Sequence, residues 1–346
     1  MYIAQQRSHF PSFTPFRSSM KRSLPNNFDL IARSFDDNLL RRLKPLTPNS
    51  PDTPSFNFSL SWLSQAVDFL SATHAEAHAL IANLRPSPHD SKTSPSYLDG
   101  SLKILNACNS ISHEIERLRH RHLVINFVLQ LLEFSVDGYR LPASERLRRA
   151  RDLLSDRENK PSRKRRTLID SKVPESSIED LVPSRGKISS AGEVVRRTIC
   201  AVGVVTAFFA GVAAAALSGE DAAAIGVPAE FVWAESLREI GSAVGVPAEV
   251  RDVEERVRVL RDVINKGIKV KEDQDGGENV VKELVNAVKE VEAAMGRFSD
   301  GLDRLADGVN GTFRRVLCSR NGMLERSIEK AMKVVIRKKL KCKQPM

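Results

Sequence analysis

Between Ile199 and Leu217 lie nineteen consecutive residues without a charge, with Arg196 and Arg197 before them and Glu220 and Asp221 after them. A run of this kind has to be a helix whose whole circumference is hidden from water. At about 1.5 Å per residue it is roughly 28 Å long, close to the ~30 Å hydrocarbon core of a bilayer. Seven Ala and two Gly keep its hydrophobicity modest, and Gly203, Ala207, Gly211 and Ala215 recur every four residues. Such a ridge of small residues permits close helix approach. Two structures satisfy the pattern: a membrane-spanning helix, and a central helix buried in a soluble bundle. A span with Arg196 and Arg197 in the cytoplasm sends the basic C-terminal residues to the opposite side, away from cytoplasmic anionic lipid. A buried or shallow hairpin arrangement avoids that conflict.

The rest of the chain supplies partners for a buried helix. Leu60, Leu63, Val67, Leu70, His74, Ala77, Ile81 and Leu84 step by three and four, the seam of a helix in a bundle or coiled coil. A second seam runs from Leu98 through Ile111 and Ile125 to Leu132, in a helix expected from about Pro95 to Asp137. A third, from Val281 through Leu302 to Val309, is expected to reach about Cys318, with Asn321-Gly322 breaking it before a basic helix over 323–340. Shorter helices are expected from Asn27 to Pro45 and from Pro142 to Asp156. Two copies of Gly-Val-Pro-Ala-Glu, at 226–230 and 245–249, each place Pro at a helix start with an acid in the first turn, predicting helices near 228–240 and 247–266. Period-2 runs are absent. The fold class is therefore all-α, an elongated bundle of long antiparallel helices that includes the one apolar, small-residue-rich helix. The three seams are expected to pack together in one antiparallel arrangement, burying Leu70 and Leu302.

Composition shifts divide the chain. Residues 1–26 form a basic, Pro- and Ser-containing tail without an acid, read either as a disordered tail or as an organellar transit peptide. Phe10, Phe13 and Phe16 are spaced by three within it. Residues 27–156 form an N-terminal helical half, 157–189 a basic, Pro-containing linker, 190–322 a C-terminal helical half, and 323–346 a basic C-terminal helix and tail. The net charge of +10 is concentrated: residues 140–166 carry eleven Lys/Arg against four acids, and 330–346 carry seven Lys/Arg and no acid. Two basic patches on an acidic body suit contact with an anionic surface. Arg163, Lys164, Arg165 and Arg166 are candidates for it, against the alternatives of a nuclear signal or solvated linker charge. No aromatic interleaves with them, so nucleic acid is disfavoured as a partner. Lys338, Lys339 and Lys341 are the candidates in the second patch. There Met332, Val335, Ile336 and Leu340 give a basic helix an apolar strip, which either lies on an anionic membrane or docks on the protein's own bundle.

Catalytic signatures do not emerge. A nucleophile elbow and a phosphate-binding loop are both missing, and His74 and His78, one turn apart, lack further ligands in sequence reach. The four cysteines are widely spaced, which disfavours both a disulfide scaffold and a zinc module. Cys108 and Cys200 sit in apolar runs and are expected to be inert, with Cys342, between two lysines, the reactive one. No cofactor or metal is expected.

Several stretches carry a family resemblance. Phe58-Ser59-Leu60-Ser61-Trp62-Leu63 opens the first seam. Leu105-Asn106-Ala107-Cys108-Asn109, Glu114-Ile115-Glu116-Arg117-Leu118, His122-Leu123 and Leu132-Glu133 follow in the second, and Ala214-Ala215-Ala216-Leu217-Ser218-Gly219 closes the apolar run. In this order they resemble the plant Bypass-like family, which is related to the exocyst-interacting ROH proteins. The resemblance covers roughly residues 28–340. It implies a non-enzymatic regulator of root and shoot development and of a root-to-shoot signal, working through protein or membrane binding. Two alternatives stand beside it: a membrane-associated adaptor of the exocyst, which the resemblance to the ROH proteins implies, and, independently of the family, a helical enzyme of small-molecule metabolism without recognisable motifs. The expected location is intracellular, cytoplasmic with membrane association, or the chloroplast if residues 1–26 are a transit peptide. The oligomeric state stays open.

Overall fold

The computed structural model describes residues 28–48, 57–84, 93–133, 141–155, 188–219, 227–273 and 277–341. Among these the chain is all-α. Its helices are α1 (Phe28–Leu43), α2 (Leu60–Leu84), α3 (Thr93–Leu131), α4 (Ser144–Ser155), α5 (Ala191–Ser218), α6 (Ala234–Ala243), α7 (Ala248–Asp273) and α8 (Gly277–Lys341), with a 3-10 turn over Lys44–Leu46. The tail, the Phe10–Phe16 triplet, most of the 157–189 linker with Arg163–Arg166, and Cys342 lie outside the described residues.

Helix α8 is the spine. Sixty-five residues at about 1.5 Å each give a rod of roughly 97 Å. Its first part forms an antiparallel hairpin with α7, laced by Lys266–Glu283, Arg256–Glu290 and Arg297–Asp252 pairs. Its later part lies along α2, where Gly301 meets Leu60 and Gly308 meets Val67, so α2 and α8 run parallel. Helix α3 runs antiparallel to both. Arg320 of α8 donates to Ser101 Oγ at 3.0 Å near the start of α3, and Arg119 further along pairs with Asp303 at 2.7 Å. Three helices packed in an antiparallel arrangement leave one parallel pair, and here it is α2 with α8.

The same contacts correct the expected composition of the core. Helices α2 and α3 each pack extensively on α8 and on α5, and far less on each other. The core is thus a four-helix square in which α5 closes the side that three seams leave open. Leu70 and Leu302 are buried as expected.

The helix break expected at Asn321-Gly322 does not occur; α8 passes through it. One interior Gly costs a helix only about 1 kcal/mol, and neighbouring packing outweighs that. Arg326 Nε donates to Gly322 O at 2.9 Å across the site. The first Gly-Val-Pro-Ala-Glu copy also departs from expectation: residues 227–233 turn, and the helix starts at Ala234. Phe231 and Trp233 are drawn into the core there, and an α-helix starting at Pro228 does not place both inward. The second copy behaves as its sequence indicates, with α7 starting immediately after Pro247. Its first turn is tied to the start of α2: Ala248 N–H donates to Phe58 O at 2.9 Å, and Glu249 accepts from Leu60 N–H at 3.0 Å.

A Cβ at Gly301 sits 2.8 Å from Leu60 Cδ1 and 3.1 Å from its Cβ, while one at Gly296 meets nothing within 4 Å. Gly301→Val is therefore expected to destabilise by about 1–3 kcal/mol through overpacking. Gly296→Ala is expected to stabilise by roughly 0.5–1 kcal/mol through helix propensity. Urea unfolding of the two variants checks both signs.

Candidate functional site

Helix α5 begins with a capping box. Ser190 Oγ accepts from Glu193 N–H at 3.2 Å, and Glu193 Oε2 accepts from Ser189 N–H at 2.7 Å. These backbone and hydroxyl hydrogen bonds hold the Glu193 carboxyl below its ordinary pKa. The helix ends at Gly219, whose φ of 76° is the left-handed conformation that a C-cap requires. Arg117 of α3 donates to Leu217 O in its last turn, placing a cation where the helix dipole is negative. Thr198 and Thr206 satisfy their hydroxyls on the carbonyls four residues back.

By sequence, Arg196 and Arg197 would flank a membrane span. Arg197 instead forms a buried cluster. Its Nη2 and Nε lie 2.7 and 3.0 Å from Asp36 Oδ2, and Asp36 Oδ1 accepts from Trp233 Nε1 at 3.2 Å. Asp36 is only 4% exposed. The guanidinium carbon lies 4.7 Å from the centroid of the Phe231 ring, which stacks on Trp233 at 4.4 Å. One carboxylate thus joins α1, α5 and the turn before α6. Arg196 points to solvent. Sequence reading missed Asp36 and Trp233, because 161 and 197 residues separate them from Arg197 and from Asp36 respectively.

The ridge residues Gly203, Ala207, Gly211 and Ala215 lie on the half-buried side of α5, while most of its other positions are fully buried. A Cβ at Gly203 would meet nothing within 4 Å. Within this chain, then, the large residues make the close contacts: Phe209 packs on Phe69 at 5.2 Å and on Trp62 at 6.1 Å.

At the far end of the square, His74, His78 and Tyr97 meet Arg326. The buried His74 stacks on Tyr97, with Nε2 3.2 Å from the phenol oxygen. Burial, aided by His78, pushes the His74 imidazole down to about 4. Burial pushes the Tyr97 hydroxyl up to about 12. Burial first and Arg326 second lower His78, whose Nε2 is 3.4 Å from Arg326 Nη2. The cluster packs as a polar seam between helices. No sequence motif marks Tyr97, which lies in the second turn of α3. Burial likewise raises the Cys108 and Cys200 thiols to about 11, as their apolar settings led us to expect, while Cys318 is exposed. A shallow groove of about 270 Å³ separates α1 from α2, lined by Leu30, Ile31, Ser34, Phe35, Glu76 and Leu80. The backbone at Lys338, Lys339 and Lys341 is helical.

Comparison with known proteins bears on what this arrangement serves. The chain is 26% identical over 336 residues to "Protein BPS1, chloroplastic" of Arabidopsis thaliana, covering 92% of this chain and 90% of the relative. Residues 17–167 match the family described as "Protein ROH1-like". The chain is thus similar to the Bypass-like and ROH family over most of its length. It is also 30% identical over 266 residues to UPF0496 protein 4 of Oryza sativa subsp. japonica, spanning 57% of that longer protein. No solved structure matches it. The stretches that carried the resemblance are junctions of the bundle. Trp62 donates to Leu46 O at 3.1 Å, Arg117 caps α5, and Gly219 ends it.

Removing one partner of a buried ion pair strands the other charge. Asp36→Ala is expected to cost about 3–5 kcal/mol, read by thermal or urea unfolding. A second expectation concerns acid. The unfolded chain protonates His74 near 6.5 and the folded one near 4, so the unfolded state binds more protons in that window. Stability therefore falls as pH drops from about 6.5 towards 4, on the order of 2 kcal/mol from this residue. His74→Gln is expected to flatten that slope in unfolding curves taken across the window.

Proposed function

We propose that this chain is a non-enzymatic regulator of plant development that acts by binding a protein partner. The observation that carries the reading is the end-to-end similarity to the Arabidopsis relative, over 92% of the chain. The structure is in keeping with it. The buried polar groups Asp36 and His74 are spent on holding helices together, with Arg197 and Trp233 in one cluster and Tyr97 in the other. The surface is thus left to do the work. Plants lacking the protein are expected to show disturbed root and shoot growth, restored by the wild-type chain. Grafting a mutant root under a wild-type shoot tests for a root-derived signal. Normal development in both would overturn the reading.

A second reading is favoured by the ROH1-like match over residues 17–167, the region of α1–α4. In it the partner is an exocyst subunit, and the chain is an adaptor of secretory traffic. Exocyst subunits recovered with the full chain after in vivo crosslinking would support it. Location separates the two readings. The acid-free residues 1–26 and the word "chloroplastic" in the relative's name favour a plastid, where exocyst contact is excluded. Import of the full chain into isolated chloroplasts, with shortening of the product, tests this directly.

A further inference from the structure

The continuity of α8 removes one of the two readings of the basic C-terminal helix. Gly301 lies against Leu60 and Gly308 against Val67, so the end of α2 at Leu84 is level with about residue 325 of α8. Helix α3 begins near the same level, where Arg320 reaches Leu98 and Ser101. Beyond it α8 continues to Lys341, about 24 Å further at 1.5 Å per residue. A separate helix after a break at Gly322 was free to fold back on the bundle; a continuous one runs on past the ends of the described helices α2 and α3. Ile328 and Met332, one turn apart on this extension, are 59% and 58% exposed. By helical periodicity Val335 and Ile336 share this face with one cation, Lys339, while Lys330, Lys333, Arg337 and Lys341 fall opposite. After Glu329 the sequence contains no further acid, and residues 330–346 hold seven Lys/Arg.

We propose that the α8 extension, from about residue 326 to Lys341, is a docking arm for an anionic membrane surface. Its apolar face enters the interface and its cations meet lipid headgroups. The occupant follows from charge and pattern together. A second copy of the chain would bring a like-charged arm against this one, so self-association through it is opposed. A purely electrostatic ligand such as duplex nucleic acid has no use for exposed Ile328 and Met332. A lipid interface satisfies both faces of a basic amphipathic helix at once. Each cation near such a surface is drawn by the negative potential of its anionic headgroups, and the attraction is screened by salt. The arm leaves α5 inside the bundle, so membrane contact here needs no spanning helix. The inference goes beyond the developmental reading, and stands or falls without it.

Co-sedimentation of the full chain with vesicles tests the arm. Vesicles of phosphatidylcholine with about a third phosphatidylserine are compared with phosphatidylcholine alone, across a salt series. Binding is expected to the anionic vesicles only and to weaken as salt rises. Charge reversal at Lys338, Lys339 and Lys341 to Glu is expected to weaken it at least about tenfold. Ile328→Ser with Met332→Ser, which keeps every charge, is also expected to weaken it several-fold. Circular dichroism melting confirms that both variants keep the bundle. Failure to bind, equal binding to neutral vesicles, or indifference to the charge reversals overturns the proposal. So does indifference to the serine pair, since it leaves the arm a simple polycation; competing duplex DNA then displaces the chain from vesicles equally well for wild type and serine variant.

Discussion

Every side of α5 but one is covered by other helices, and the remaining architecture follows from that enclosure. Eighteen of its residues are buried, among them Val194, Val205, Phe209 and Leu217. At roughly 25 cal/mol per Å² of apolar surface, removing such a helix from water outweighs the contribution of any surface pair in the molecule. The enclosure in turn dictates where polar groups go. The helix's first turn is closed by its own capping box, its last turn by Arg117 from α3, and Arg197 is neutralised by Asp36 from α1. The Arg117 and Arg197 contacts satisfy groups that burial would otherwise leave costly, whereas the capping box lies at the surface.

The spine α8 solves a different problem. It has to lie against α7, α2 and α3 and then run beyond the other described helices along one unbroken length, so its side-chain sizes vary along it. Gly301 admits Leu60 where the approach is closest, and Phe298 packs near His122 one turn earlier. A continuous helix also makes the bundle and its extension one mechanical unit. Whatever the arm engages is held at a fixed angle to the square of helices, which is a useful property for a protein that positions a partner.

The family relation takes on physical meaning in this frame. The conspicuous stretches around Trp62, Arg117 and Gly219 are where helices meet, and a different residue at any of them loses an indole hydrogen bond, a helix cap or a left-handed turn. Developmental function, if it resides in binding, is then free to vary on the surface while the junctions hold the shape.

Helix content, the position of the seams, the burial of Leu70 and Leu302 and the apolar character of α5 were all set by local patterning: three-four spacing and the absence of charge act within a few turns and need no knowledge of the partner. The choice between a membrane span and a core helix was not, because the two share length and composition and differ only in what surrounds them. Nor was the parallel course of α2 and α8, the pairing of Arg197 with Asp36, or the survival of α8 through Gly322. Each depends on contacts between residues far apart in sequence, and there the free energy of packing exceeds the kilocalorie or so that a turn residue or an isolated Gly can contribute.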